Sequence, residues 1–345
     1  MINVLIVDDS AVVRKILSQE LSKFPDINVV GTAVDPYVAR EKIVQLRPDV
    51  ITLDLEMPRM DGLSFLAKLM KHFPLPVVVL SSLTQDKSEA ALKALELGAV
   101  EVLGKPGSSF STQNISQRLA EAIRTASKAN VKRGIVTTRT TSFDSGGLSD
   151  LQTTYQVVAI GASTGGTKAL EHVLAPLPMS FPGTVIVQHM PEHFTRTFGQ
   201  HLNESCQINV REAEDGDSIV PGLALIAPGN RHMVIERSGG TYRVKLKDGP
   251  RVHYQRPAVD ILFQSVAEHA GRNVVGVILT GMGADGAKGM KTMHDRGAYT
   301  IAQNEESCVV FGMPREAIKA GGVDEVVSLD DIPNAMIKAL SKKKV

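Results

Sequence analysis

Three residues of different chemistry close three apolar runs in the second half of this sequence. Ser163 lies in Gly161-Ala-Ser163-Thr-Gly165-Gly166, after the run 157–160 (Val-Val-Ala-Ile) and before the helix-like stretch 167–174. A strand, a tight glycine turn and a helix in that order lift one hydroxyl to the carboxyl end of a strand. There, backbone N–H groups and the positive helix end can stabilise an oxyanion. His189 closes the run 185–188, and Asp285 follows the run 274–279 within Thr280-Gly-Met-Gly-Ala-Asp285-Gly. A serine hydroxyl needs a base to attack at neutral pH. Histidine can take and return that proton, and aspartate can fix its tautomer and stabilise the imidazolium. Backbone N–H groups of residues 281–283, Met282 in particular, are candidates for an oxyanion hole.

Each feature has a plainer reading. The glycine turn also fits a phosphate-binding loop, although a dinucleotide fold would end the next strand with an acid rather than His189. A lone His189 is more often structural, and a lone Asp285 more often a helix cap. The order Ser, His, Asp differs from the Ser, acid, His order of α/β-hydrolases. His193, His232 and His253 compete as loop or surface histidines bordering a substrate. No His/Cys/Asp spacing points to zinc.

A second set of chemical residues stands in the first half. Asp8 and Asp9 end the first apolar run, Asp54 ends the third, Ser81 the fourth and Lys105 the fifth. Crowded carboxylates repel unless a cation neutralises them, and oxygen ligands with open positions suit Mg²⁺. Ser81 offers a hydroxyl and Lys105 a compact charge to a phosphoryl group. Pro106 can hold a cis bond that aims the lysine.

The elements that position these residues follow from periodicity. Runs 4–7, 28–33, 50–53, 77–80 and 101–103 read as strands. Positions 13/16/17/21/24 and 63/66/69/70 repeat at helical spacing, and 115–126 reads as a closing helix. Such alternation implies a parallel sheet covered on both faces. Between residues 125 and 154 the pattern dissolves into polar, small and basic residues, a linker whose charges are solvating. Alternation then resumes, with strands at 157–161, 184–188, 223–227, 274–279 and 299–302, and a hairpin at 233–237 and 242–246. The expected fold is α/β, two doubly wound parallel-sheet domains, the first flavodoxin-like and the second Rossmann-like with an inserted β-hairpin. The expected domains are 1–124 and 155–345, joined by linker 125–154.

Composition limits the function classes. A chain of 345 residues exceeds one ordinary core. Net charge is +1, so nothing in the balance points to nucleic acid or a membrane surface. Two cysteines imply no disulfide framework, and no run approaches the ~20 apolar residues of a membrane span, which together imply a cytoplasmic protein. No basic helix-turn-helix follows the linker, against a DNA-binding output. A nucleotide-binding output would instead be stabilised by nucleotide.

The acid pair, single acid, hydroxyl and lysine at successive strand ends resemble the response-regulator receiver domain over residues 1 to about 124. The resemblance implies Asp54 as phosphoacceptor, Asp8 and Asp9 as the acidic metal pocket, and a backbone carbonyl of Glu56 as a further Mg²⁺ ligand. It also implies Ser81 and Lys105 as the phosphate switch. Val102 stands where many receivers carry Tyr or Phe three places before the lysine. The second half carries Gly-Ala-Ser-Thr-Gly-Gly, Val-Gln-His-Met-Pro, Ala-Pro-Gly-Asn-Arg-His-Met, Arg-Pro-Ala-Val-Asp and Thr-Gly-Met-Gly-Ala-Asp-Gly. With the receiver, these motifs closely resemble the protein-glutamate methylesterases of bacterial chemotaxis. That resemblance implies hydrolysis of γ-methyl glutamyl esters on chemoreceptor helices, with release of methanol, and deamidation of particular receptor glutamines. It implies Ser163 as nucleophile, His189 as base, Asp285 as orienting acid, and Thr164 and Met282 near the oxyanion. It further implies a histidine kinase as phosphodonor and no cofactor for the ester chemistry.

Overall fold

Five short runs rich in Val, Ile and Leu form the first sheet: β1 (Ile2–Val7), β2 (Ile27–Ala33), β3 (Val50–Asp54), β4 (Val77–Ser81) and β5 (Glu101–Gly104). Their order is β2-β1-β3-β4-β5, and every pairing is parallel. Every residue of β3 and β4 is buried, as expected for strands covered on both faces. The crossovers are α1 (Ala11–Leu21), α2 (Pro36–Leu46), α3 (Gly62–His72) and α4 (Ser88–Glu96), with α5 (Thr112–Ala126) closing the unit. Ser10, Asp35 and Asp61 start the first three by accepting backbone N–H groups of the first turn. Leu119, Ala120, Ile123 and Ala126 recur at helical spacing on α5 and join Leu17 and Leu21 of α1 in one core.

The structure, a computed structural model, describes residues 1–57, 59–81, 88–105, 112–129, 131 and 156–342. Pro106 and most of the expected linker lie outside the described residues. The chain divides into two compact units, 1–136 and 137–345.

The second unit runs β6 (Val157–Ala162), α6 (Gly166–Leu174), β7 (Gly183–Gln188), α7 (Phe194–Ser205), β8 (Asn209–Glu212), β9 (Ser218–Ile219), β10 (Leu223–Ile226), β11 (His232–Ser238) and β12 (Thr241–Lys247). It continues with α8 (Val259–His269), β13 (Val274–Ile278), α9 (Ala287–Asp295), β14 (Tyr299–Gln303), α10 (Met313–Lys319), β15 (Glu325–Val327) and α11 (Ile332–Lys342). Seven of these strands form a parallel sheet in the order β15-β14-β13-β6-β7-β10-β8. β6 and β13 pair at its centre, where the chain stops building towards β7 and starts towards β14. This is a topological switch point, the crevice where open α/β sheets bind ligands.

The inserted hairpin is larger than the sequence pattern indicates. β11 and β12 pair antiparallel, and β9 adds a third strand through Ile219 and Ser218. β8, β9 and β15 carry no clear periodicity: Val210 is the one buried residue of β8, and β9 and β15 span two and three residues. Their pairing is set by neighbours rather than by their own pattern. The core of this unit joins Leu262, Phe263 and Val266 of α8 to Met290 and Met293 of α9 and to the sheet. Fully burying one such side chain stabilises the fold by about 1.5–3 kcal/mol.

Candidate functional site

Ser163 is the first residue beyond β6 and is held by backbone on both flanks. Its N–H donates to the Thr280 carbonyl beyond β13 at 3.0 Å, while the Leu279 N–H donates to Gly161 and the His189 N–H to Ala162. The Ser163 carbonyl accepts the Gly166 N–H at 2.7 Å and the side-chain amide of Gln188 at 2.9 Å. That amide, buried at the end of β7, also donates to the His189 carbonyl at 3.1 Å. One glutamine thus ties the serine turn to the histidine.

The structure brings Ser163, His189 and Asp285 together. His189 Nδ1 lies 3.1 Å from Ser163 Oγ, and Nε2 lies 2.8 Å from Asp285 Oδ2. An ionised carboxylate only accepts hydrogen bonds, so Nε2 carries the proton. The lone pair of Nδ1 then faces the serine hydroxyl, the arrangement a general base requires. The His189 and Asp285 side chains are 6% and 2% exposed, so bulk water does not screen the pair.

Asp285 is fixed by more than His189. Its Oδ2 accepts the Val259 N–H at 2.7 Å and its Oδ1 the Asp260 N–H at 2.9 Å. These are first-turn donors of α8, whose own flanking residue, Ala258, has no capping side chain. Asp285 is therefore a helix cap as well as a triad member, but for α8 rather than for the α9 that follows it. Burial pushes its carboxyl up, yet His189 and the two helix N–H groups outweigh it and hold it below the usual carboxylate range.

The loop after β13 closes the other side of the serine. A Cβ on Gly281 would come within 2.7 Å of Ser163 Cβ and 2.3 Å of Met313 Sδ, so only glycine permits this approach. The Gly281 N–H donates to Val310, and its carbonyl accepts from Gly312 and Met313. Thr280 Oγ1 donates to the Thr164 carbonyl at 2.9 Å and accepts the Val310 N–H at 3.0 Å. Thr164 is buried, and Met282 is the next residue after Gly281. Gln188, Thr280 and the Thr280-binding Gln303 are site residues that sequence reasoning missed. For Gln188 and Gln303, a polar residue closing a mostly apolar strand was the available signal.

The competing histidines separate. His193 precedes α7 at φ 72°. His232 is neither a loop nor a surface residue: it opens β11, is buried, and binds the Pro250 carbonyl through Nε2 and the Ala258 N–H through Nδ1. Both ring nitrogens are committed to structure. His253 is exposed, with Nε2 3.3 Å from Asp260 Oδ2.

In the first unit, carboxylate oxygens of Asp8, Asp9 and Asp54 lie within 4.8 Å of one another. Asp8 and Asp54 are buried and Asp9 is exposed. Lys105 Nζ stands 2.6 Å from Asp54 Oδ2 and 3.2 Å from Asp8 Oδ2. Burial lowers the lysine, but the two carboxylates outweigh it and raise it above its ordinary value. Burial also pushes the Asp54 carboxyl up, against the pull of Lys105 and of the Glu56 N–H, which donates to Oδ1 at 3.0 Å. Ser81 is buried at the end of β4, and its carbonyl accepts the Lys105 N–H at 2.8 Å. A hard cation with oxygen ligands fits this cluster, because it would offset the repulsion between the acids.

These two geometries define a class: a serine–histidine–aspartate constellation at the switch point of one parallel sheet, on a chain that also carries an acidic pocket at the switch point of another. Comparison with known proteins narrows it. The family described as CheB methylesterase matches residues 158–336, and the response regulator receiver domain matches residues 4–120. A protein-glutamate methylesterase/protein-glutamine glutaminase of Syntrophus aciditrophicus is 56% identical over 341 residues, covering 98% of each chain. Its namesake from Salmonella typhimurium is 54% identical over 342 residues, covering 99% of this chain and 97% of that one. The crystal structure of the Thermotoga maritima CheB methylesterase catalytic domain superposes with a TM-score of 0.52 at 39% identity, covering 53% of this chain and 97% of that one. This chain belongs to the CheB methylesterase family and carries a receiver domain ahead of the esterase.

Proposed function

We propose that this protein removes γ-methyl esters from glutamates of chemoreceptor helices and deamidates particular receptor glutamines, under control of receiver phosphorylation. The observation that carries the reading is the hydrogen-bonded chain Ser163 Oγ, His189 Nδ1, His189 Nε2, Asp285 Oδ2. Ser163 Oγ attacks the ester carbonyl carbon while His189 Nδ1 takes its proton. The imidazolium is stabilised through its Nε2–H by Asp285. The backbone N–H groups of Thr164 and Met282 stabilise the oxyanion. Collapse breaks the carbon–oxygen bond, and His189 returns its proton to methoxide, which leaves as methanol. Water then repeats the cycle on the acyl-serine and frees the glutamate. With a glutamine side chain the same steps expel ammonia, so one triad serves both reactions.

In the receiver, Asp54 accepts the phosphoryl group from a histidine kinase. Asp8, Asp9, Asp54 and the backbone carbonyl of Glu56 would hold Mg²⁺, which would supply positive charge against the phosphoryl oxygens. Lys105 and Ser81 then pair with the phosphoryl oxygens. Such a protein works in the cytoplasm, where receptor signalling helices are reached; among the described residues no helix is long and apolar enough to cross a membrane. The test is methanol release from methylated receptor, run beside labelling by a fluorophosphonate probe. Methanol release with label on Ser163 supports the reading. A labelled protein that releases no methanol is a serine hydrolase of another substrate, and an unlabelled, inactive one has no activated serine.

A further inference from the structure

The motif Arg256-Pro-Ala-Val-Asp260 meets the triad through backbone N–H groups, yet its last side chain is a carboxyl only 3% exposed. Asp260 stands in the first turn of α8, and its N–H holds Asp285 Oδ1. Its own Oδ1 accepts the Gly289 N–H at 2.8 Å, a first-turn donor of α9. The two acids therefore exchange caps: Asp285, just ahead of α9, satisfies the N-terminus of α8, and Asp260, at the start of α8, satisfies that of α9. No side chain caps either helix from its usual flanking position, so the exchange supplies the side-chain caps that both lack. Beyond it, Asp260 Oδ2 faces His253 Nε2 at 3.3 Å. His253 and Tyr254 sit at φ 49° and 61° in the turn 252–255, which closes through mutual backbone bonds of Val252 and Gln255. Two adjacent non-glycine residues in the left-handed region are held there at a cost, the kind of local strain found near functional sites.

We propose that Asp260 is a positioning residue for the esterase triad, its carboxylate locking the start of α9 so that Asp285 stays aligned on His189 Nε2. The proposal rests on the triad reading above. Asp285 precedes Gly289 by four residues, so a shift of the first turn of α9 moves the carboxylate that fixes the imidazole. Misalignment of an orienting acid lowers the rate of bond making, not substrate affinity.

Three variants of the full chain separate this role from general packing. Asp260→Asn keeps an acceptor for Gly289 and removes the charge. Asp260→Leu keeps the branched shape without an acceptor, and Asp260→Ala removes both. The expected result is kcat reduced about 10- to 100-fold in Leu and Ala with KM within about 2-fold, and kcat within about 3-fold in Asn. The downfield proton signal of the His189 Nε2–H bond is expected to persist in Asn and to shift or broaden in the other two. Either non-accepting variant that folds decides the matter. Folded Leu or Ala with parental kcat and proton signal overturns the proposal, as does a change confined to KM. An Asn variant as slow as Leu overturns capping in favour of charge. Ser163→Ala run alongside tests the triad independently: if it retains activity, the triad reading has failed rather than this one.

Discussion

At the residue scale, the site is defined by which atom faces which. Ser163→Ala removes the proposed nucleophile and His189→Ala the proposed base, and each is expected to lower both methanol release and deamidation by on the order of 10⁴ or more while the fold persists. Circular dichroism with a methanol assay checks this, and near-normal release from folded Ser163→Ala refutes the assignment. Asp285→Asn is a sharper probe. Both oxygens of Asp285 accept from N–H donors, so an asparagine must turn its amide NH₂ towards one of them. Either His189 meets a donor and switches tautomer, or the Asp260 N–H of α8 loses its acceptor. At least a 10-fold loss in kcat is expected, with lower thermal stability. The pH dependence follows from the low-lying Asp285 carboxyl, whose ordinary value is 3.8. The unfolded chain protonates it first, so its contribution is fully present above about pH 4 and fades as pH falls through the folded value. The gap in Tm between parent and Asp285→Asn is therefore widest near neutrality and narrows in acid. A gap that widens below pH 4 contradicts the linkage.

At the element scale, strand ends do the positioning, and this is why much of the site was legible in the sequence. Apolar runs ending in Asp8 and Asp54 in one sheet, and in Ser163 and His189 in the other, mark the carboxyl edges of central strands, and each parallel sheet gathers its own edges into a crevice. Long-range acceptors were not legible. Nothing local shows that Asp285 caps α8, that Asp260 reaches α9, or that Gln188 spans two carbonyls, because each partner lies 25 or more residues away except the adjacent His189. Nor does loop composition reveal that His232 is buried, since its burial comes from the Pro250 and Ala258 backbone closing around it. Gly166 is a test at this scale. A Cβ there would stand 2.1 Å from Gln188 Oε1 and 2.8 Å from Ala162 Cβ. Gly166→Ala is expected to cost about 1–3 kcal/mol by overpacking and to displace the Gln188 amide from the serine turn. Chemical denaturation and probe labelling read the two effects separately. Unchanged stability and labelling show that the amide can move without consequence.

At the scale of the whole molecule, the chain holds two switch-point sites in two compact units, one proposed to take a phosphoryl group and the other an acyl group. A receiver earns its place on an enzyme only if phosphate at Asp54 alters the esterase rate. The buried Asp54 is held by Lys105 alone among charged partners within ion-pair distance, described residues considered. A phosphoryl group adds about −1.5 to −2 charge and acceptor oxygens there, so Lys105 and Ser81 must rearrange around it. Such a change can bias a two-state equilibrium of the receiver. The expected sign is inhibition by the unphosphorylated receiver and relief on phosphorylation. Three proteins decide it on methylated receptor: the full chain with and without acetyl phosphate and Mg²⁺, full-length Asp54→Ala, and a fragment beginning near residue 151. Relief requires that the fragment outpace the unphosphorylated full chain and that Asp54→Ala ignore the phosphodonor. A fragment slower than the unphosphorylated parent makes the receiver an activator instead. An Asp54→Ala protein that still responds to acetyl phosphate moves the phosphoacceptor elsewhere, and the natural second choice is then the neighbouring exposed carboxylate of Asp9.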